Sequence, residues 1–148
     1  MARTPEALGQ VVLDAASSGN IRVTVGLEEG TGRALYQVDN RGAGDATGYV
    51  TSVDAVPASR WVHVAFVATG GRTTAYLDGR PAGVHVAPQP AVGVRAQVSV
   101  GRGLQHSSLS FAGALDDVRV WTVAVPHASI GADMGARAGA VLAYSFNS

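Results

Sequence analysis

Cysteine is absent from the 148 residues. The sequence can therefore form no disulfide framework, no cysteine-based zinc site and no thiol nucleophile. Lysine is absent too: all 11 basic residues are arginine, and 11 acidic residues bring the formal net charge to zero. A neutral chain lacks the positive surface on which nucleic-acid and membrane-surface binders depend, so neither nucleic acid nor membrane insertion is expected.

Long apolar runs are also missing. The opening residues contain no apolar run long enough for a signal peptide, and no later segment is long enough to span a bilayer. We therefore expect a chain that either is not exported by that route or belongs to a larger protein. Its localisation stays open on these grounds.

Short apolar runs, separated by glycine-rich turns, make up most of the sequence. Each run is the length of a strand, and residues 21–25 alternate cleanly: Ile21, Val23 and Val25 face one side, Arg22 and Thr24 the other. Such spacing is typical of an antiparallel sandwich or barrel. The runs occupy residues 11–13, 21–27, 35–38, 49–53, 61–67, 73–77, 84–86, 98–100, 110–111, 118–123 and 140–146.

One short helix is predicted near the C-terminus. Pro126 suits its first turn, and Ile130 and Met134 lie four residues apart, on one face, before Gly135. A length of 148 residues, 47% of them hydrophobic, is enough for one core. We predict a single all-β domain over residues 1–148, an antiparallel β-sandwich with one short helix.

Three motifs carry a family resemblance. They are WVHVAFV at residues 61–67, AYLDG at residues 75–79 and FAGALDDVRVW at residues 111–121. In this order and spacing they resemble the laminin-G-like, concanavalin A-like lectin jelly-roll family. The resemblance is good from about residue 60 onward and rests only on strand pattern over residues 8–55. It implies a jelly-roll fold and a role in adhesion or carbohydrate binding.

The sequence departs from the family pattern at its start. Family domains usually begin with one or two strands that are not recognisable here. Those strands are expected to lie upstream in a longer protein, to be replaced by the C-terminal strand, or to come from a partner chain. Because an open sheet edge readily pairs with another chain, we predict self-association or docking through such an edge.

Catalysis is not expected. Jelly-roll enzymes that cleave glycans place two carboxylates on one face of a strand. The close acidic pairs here, Glu28-Glu29 and Asp116-Asp117, are adjacent, and adjacent strand residues point to opposite faces. Glu28 and Glu29 are expected as solvated charges at a hairpin tip. The four histidines show no ligand spacing, and His63 is expected to be packed and hydrogen-bonded.

Calcium is the one cofactor that the resemblance implies. Asp116 matches a family position that often helps to hold a structural Ca²⁺, together with backbone carbonyls of the N-terminal segment. A hard cation needs about six to eight oxygen ligands. The segment that would provide several of them is not recognisable, so the alternative is that Asp116 caps the strand or pairs with an arginine such as Arg119.

A sugar site would need exposed aromatic rings. Of the nine aromatic residues, Phe66 is expected to be buried, and the remaining ligand-binding candidates are Tyr36 and Tyr49. The resemblance assigns six others to the core: Trp61, Tyr76, Phe111, Trp121, Tyr144 and Phe146.

Two functions follow from the sequence and the resemblance. The first is a lectin-like module that binds carbohydrate or protein at a surface, extracellular if part of a larger secreted protein. The alternative is a structural assembly or decoration subunit, for example at the surface of a phage virion.

Overall fold

A computed structural model of the chain describes residues 8–17, 21–40, 48–86, 96–104, 108–121, 123–135 and 142–145. Strands dominate these residues, and one helix precedes the last strand. The strands are β1 (Leu8–Ser17), β2 (Ile21–Glu28), β3 (Arg33–Asn40), β4 (Gly48–Ala55), β5 (Val64–Thr69), β6 (Arg72–Leu77), β7 (Arg80–Val86), β8 (Ala96–Val100), β9 (Arg119–Trp121) and β10 (Leu142–Ser145), and the helix is α1 (His127–Gly135).

The strands form two five-stranded sheets that face each other. Sheet A has the order β4-β3-β2-β1-β8, and sheet B has the order β7-β6-β5-β10-β9. All pairings within sheet A are antiparallel, as are those of β5 with β6 and β6 with β7. The predicted β-sandwich with one short C-terminal helix is confirmed.

The core lies between the sheets. Val23 and Val25 of β2 pack there with Tyr36 of β3 and Phe66 of β5. The alternation predicted for residues 21–25 is therefore correct in its facing. The face of β2 that carries Arg22 and Thr24 is also shielded from solvent, because Arg22 is only 4% exposed and Thr24 only 3%. Both contact the buried carboxylate of Asp14, so the outer face of sheet A holds a buried polar group.

Strand β10 departs from the antiparallel expectation. It inserts between β5 and β9 and runs parallel to both. Parallel neighbours need a crossover connection, and α1 lies within the one that joins β9 to β10. Ile130 anchors α1 in a cluster with Ala65, Val67 and Tyr76. In the described part of the chain, no helix is long and apolar enough to cross a membrane.

The sheets approach each other closely where β4 meets β7. A β-carbon at Gly83 of β7 would lie 2.2 Å from the carbonyl oxygen of Thr51 in β4, so only glycine permits this approach. Two predicted strand boundaries were wrong. Ser110 forms only an isolated bridge with Arg102, and residues 61–63 precede β5 rather than belonging to it.

Candidate functional site

A cavity of about 420 Å³ opens between the sheets near the start of β5. Apolar side chains of β1, β2 and β3, including Val12, Val25 and Ala34, line it. Two connecting segments complete the wall: residues 56–62, called here the Trp61 segment, and residues 111–116, called the Asp116 segment. Its volume lies within the range of about 300–1,000 Å³ that is usual for small-molecule sites. We refer to it as the inter-sheet cavity.

The sequence of β1 and β2 shapes one wall of this cavity. The pairing of β1 with β2 is irregular around Gln10, and a β-carbon at Gly26 would lie 2.0 Å from the Gln10 carbonyl oxygen. Glycine at this position therefore allows the bulged backbone of β1 to approach β2 closely at Gln10. The Gln10 side chain then accepts a hydrogen bond from the Ala112 N–H at 2.9 Å. This bond attaches the Asp116 segment to sheet A.

Trp61 lies on the cavity wall with 53% of its surface exposed. The expectation that Trp61 packs in the core is therefore wrong. Its neighbours Val62 and His63 are buried instead, at 8% and 4% exposure. The residue precedes β5, so the strand alternation that the sequence motif suggested does not apply to it. Pro57, which favours a loop, is a sequence signal for the connecting segment that delays the start of β5 to Val64.

Asp78 holds the Trp61 segment in place. Its carboxylate accepts a hydrogen bond from the His63 N–H at 3.1 Å, and its own N–H donates to the His63 carbonyl at 2.8 Å. Its second oxygen lies 2.7 Å from Arg60 Nη2, and Arg60 Nη1 donates to the Trp61 carbonyl at 3.1 Å. One carboxylate thus holds the His63 backbone directly and the Trp61 carbonyl through the Arg60 side chain.

These contacts also change the acidity of Asp78. Partial burial raises its pKa, but the Arg60 hydrogen bond, the His63 N–H and the nearby positive charge together outweigh burial, and the net result is a lowered pKa. The carboxylate belongs to the turn between β6 and β7, where Asp78 and Gly79 have φ of 48° and 73°. Two positive φ angles at an Asp-Gly pair are typical of a type I′ hairpin turn.

His63 is buried and hydrogen-bonded through its backbone, which confirms the packed role expected for it. It is packed because it lies between the Trp61 segment and the β6–β7 turn, where its backbone bonds Asp78.

Asp116 belongs to the other connecting segment of the cavity wall. It is exposed and lines the cavity, and its Oδ1 accepts the Asp117 N–H at 2.8 Å. This bond is to the next residue, two positions before β9 begins, so the predicted strand cap stays a prediction. Arg119 bonds Asp117, with both oxygens 3.2 Å away, so the ion pair suggested for Asp116 is formed by its neighbour. The described residues contain no group of three or more His, Asp or Glu side chains that could hold a metal.

The two tyrosine candidates do not meet at one surface. Tyr36 is 2% exposed and its ring stacks on Phe66 with 5.7 Å between centroids, so its assignment as an exposed ligand-binding residue is wrong. It points inward because it shares a face of β3 with buried Val38. Tyr49 is half-buried and stacks on His85 at 6.1 Å, where β4 meets β7, and it does not line the inter-sheet cavity.

The other expected features are also placed by the structure. Glu29 is exposed at the β2–β3 turn as expected, but Glu28 is 7% exposed and accepts a hydrogen bond from the Thr31 hydroxyl, so its assignment as a solvated charge is wrong. Tyr76 is buried and Phe111 packs on the core, whereas Trp121 is 38% exposed. The side chains of Met134, Tyr144 and Phe146 lie outside the described residues.

Comparisons with known proteins place the chain in a family. No curated protein matches significantly. A solved structure of an S-layer domain-containing protein (residues 221–444) from Clostridium thermocellum is similar at 17% identity and a TM-score of 0.42. That alignment covers 89% of this chain and 66% of the other, so the chain spans about two thirds of that structure. A family model described as the concanavalin A-like lectin/glucanases superfamily matches residues 2–131. The chain therefore belongs to the concanavalin A-like lectin/glucanases superfamily.

Proposed function

We propose that the protein is a non-catalytic binding module that holds a carbohydrate in the inter-sheet cavity. One observation carries this proposal: Trp61, more than half exposed, lies on the wall of a 420 Å³ cavity between apolar core residues and polar groups. An indole that is exposed on the wall of a cavity is suited to stack on a ligand held there.

The chemistry of the wall suits a sugar. Carbohydrates present apolar C–H faces and hydroxyl edges, so their sites combine an aromatic ring with hydrogen-bonding groups. Trp61 supplies the ring, and the cavity wall includes Gln10, Ser59, Arg60 and Asp116. The Asp78 contacts fix the backbone around Trp61, which reduces the conformational entropy that binding must overcome.

Substitution of Trp61 tests the proposal. The wild-type chain, Trp61→Ala and Trp121→Ala are compared on one glycan array, and hits are quantified by isothermal titration. Trp121 is the matched control because it is an exposed tryptophan on β9 that does not line the cavity. We expect Trp61→Ala to weaken binding at least tenfold and Trp121→Ala to leave it within twofold. Binding that is equally sensitive to both changes contradicts the cavity as the site.

The non-catalytic part of the proposal has its own test. Any glycan that binds is incubated with the protein at pH 4 to 8, and the release of reducing ends is measured. We expect none above a buffer control. Release of reducing ends would show that the protein is a hydrolase and not a binding module. The test is needed because the superfamily also includes glucanases.

A second candidate function, assembly, is favoured by a different observation. Val98 and Val100 of β8, the last strand of sheet A, are 55% and 51% exposed, and β8 pairs with β1 alone among the described strands. An edge strand with exposed valines is suited to pairing with another chain. Light scattering after size-exclusion chromatography tests this. Stable oligomers that dissociate on Val98→Lys, but not on Val123→Lys at an exposed valine outside the strands, would support assembly, whereas a strict monomer contradicts it.

A further inference from the structure

The charges around the inter-sheet cavity are unequally compensated. Among the described residues, Arg60 and Asp116 are the charged residues that line it. Arg60 is engaged by Asp78 at 2.7 Å and by the Trp61 carbonyl. Asp116 is exposed and receives the Asp117 N–H, a neutral donor. Asp78 itself does not line the cavity, so the positive charge of Arg60 is balanced from outside the wall. Among the described residues, the Asp116 carboxylate is therefore the wall's uncompensated charge.

We infer that this site selects uncharged saccharides and discriminates against acidic ones, such as uronic, sialylated or sulfated glycans. The inference rests on the proposed function and adds the class of ligand. A sugar hydroxyl can donate to the Asp116 carboxylate, whereas a sugar carboxylate or sulfate is repelled by it. One like charge at close range in water-rich surroundings reduces affinity roughly fivefold, and more where solvent is displaced.

Arg60 is the positively charged residue of the wall that could attract an acidic ligand, but its guanidinium is already bonded to other groups of the protein. An acidic ligand could pair with the guanidinium only in competition with Asp78, whose carboxylate is held by the His63 N–H and by the β6–β7 turn. The Arg60 side chain also bonds the Trp61 backbone. Moving it toward a ligand would release the segment that carries the stacking ring.

The experiment uses the full chain on an array of neutral oligosaccharides that end in glucose, galactose or mannose, printed beside their uronic, sialylated and sulfated counterparts. For each neutral glycan that binds, we expect the acidic counterpart to bind at least fivefold more weakly. Raising the salt concentration should bring the affinity for acidic glycans closer to that for neutral ones, because salt screens the repulsion between exposed charges. The affinity for neutral glycans should stay nearly constant.

Two variants address the charges directly. Asp116→Asn removes the repelling charge, and Asp78→Asn removes the competitor for Arg60 while keeping a residue that tolerates positive φ. Each is expected to raise the ratio of acidic to neutral binding at least threefold. Asp54→Asn is the matched control: it removes an exposed carboxylate on β4 that does not line the cavity, and the ratio should not change.

The outcomes separate the two proposals. Acidic glycans that bind as well as neutral ones, and lose binding in Trp61→Ala, overturn the selectivity while supporting the cavity as the site. A ratio that does not respond to Asp116→Asn or Asp78→Asn also overturns it. If no glycan of either class binds, the proposed function fails, and the selectivity fails with it.

Discussion

Asp14 and Arg22 form a buried two-point ion pair between β1 and β2. Arg22 Nε lies 2.8 Å from Asp14 Oδ1, and Nη2 lies 2.5 Å from Oδ2. The Thr24 hydroxyl and the Leu104 N–H donate to the same carboxylate at 3.2 Å and 2.7 Å. Asp14 is fully buried. One carboxylate therefore joins two strands of sheet A to the segment that follows β8.

Removing this carboxylate is expected to be severe. Asp14→Ala leaves the Arg22 guanidinium buried without its counter-charge, and breaking a buried ion pair in this way costs about 3–5 kcal/mol. Urea unfolding followed by tryptophan fluorescence measures the loss. The double variant Asp14→Ala, Arg22→Met should recover part of it, since both charges are then gone. A loss below about 1 kcal/mol in Asp14→Ala would contradict the importance of the pair.

The ion pair shows where prediction from sequence succeeds and where it stops. Alternation of Val23 and Val25 with Arg22 and Thr24 predicted the facing of β2, because facing depends only on the two-residue period of a strand. Burial of the outer face depends on Asp14 and Leu104, and Leu104 is 90 residues from Asp14. Local pattern contains no information about such a contact.

The candidate site follows the same division. Asp116 was singled out from its motif, and it lines the cavity. Trp61 was assigned to the core by the family resemblance, which places it in a strand, but the strand begins at Val64. Tyr36 was expected on an open face, although the face of β3 that it occupies packs on Phe66 of the other sheet. In both cases the error arose from a strand boundary or facing that only the packed sheets determine.

Gly26 is predicted to be indispensable for the bulge that shapes the cavity. Gly26→Ala places a β-carbon against the Gln10 backbone, a contact that no side-chain movement relieves. Overpacking of this kind costs about 1–3 kcal/mol and occasionally more. Gly131→Ala in α1 is the control, because nothing lies within 4 Å of its β-carbon. That change should stabilise the chain by up to about 1 kcal/mol through helix propensity. Thermal unfolding of the two variants should shift in opposite directions.

Asp78 is expected to make stability sensitive to acid. Partial burial raises its pKa, but the hydrogen bonds from Arg60 and the His63 N–H and the nearby positive charge together outweigh burial, so the pKa in the folded chain is lowered from 3.8. A lowered carboxyl pKa contributes stability that is fully present above the unfolded value and is lost as pH falls through the folded value. The advantage of the wild type over Asp78→Asn should thus be constant near neutral pH and shrink below pH 3.8.

Urea unfolding of both proteins across this pH range measures the effect. Asp54→Asn, at an exposed position of β4, controls for the change in net charge. High salt should reduce the Asp78 contribution, since Arg60 is 54% exposed. An advantage that grows as the pH falls would contradict the assignment.

Calcium binding at Asp116 stays a prediction that titration can test. The described side chains around Asp116 form no cluster of three acidic or histidine ligands, so backbone carbonyls and water would have to complete the six to eight oxygens that Ca²⁺ takes. If the ion binds, isothermal titration should give a signal that Asp116→Asn abolishes, and the melting temperature should rise with Ca²⁺ through linkage. No heat and no rise in melting temperature would remove calcium from the description of the protein.

Strand β10 is predicted to be essential, although it contains only four residues. It pairs with residues 64–67 of β5 and residues 119–121 of β9. Deleting residues 142–148 would leave these strands two strand spacings apart, about 9–10 Å, with both facing edges open. We expect the truncated chain to lose cooperative thermal unfolding and to associate through the exposed edges. Deleting only residues 146–148 keeps β10 and is the control.

A synthetic peptide containing residues 140–148 should restore a cooperative transition to the truncated chain, because it can occupy the gap between β5 and β9. Unfolding of the truncated chain at the full-length melting temperature would show that sheet B does not depend on this strand.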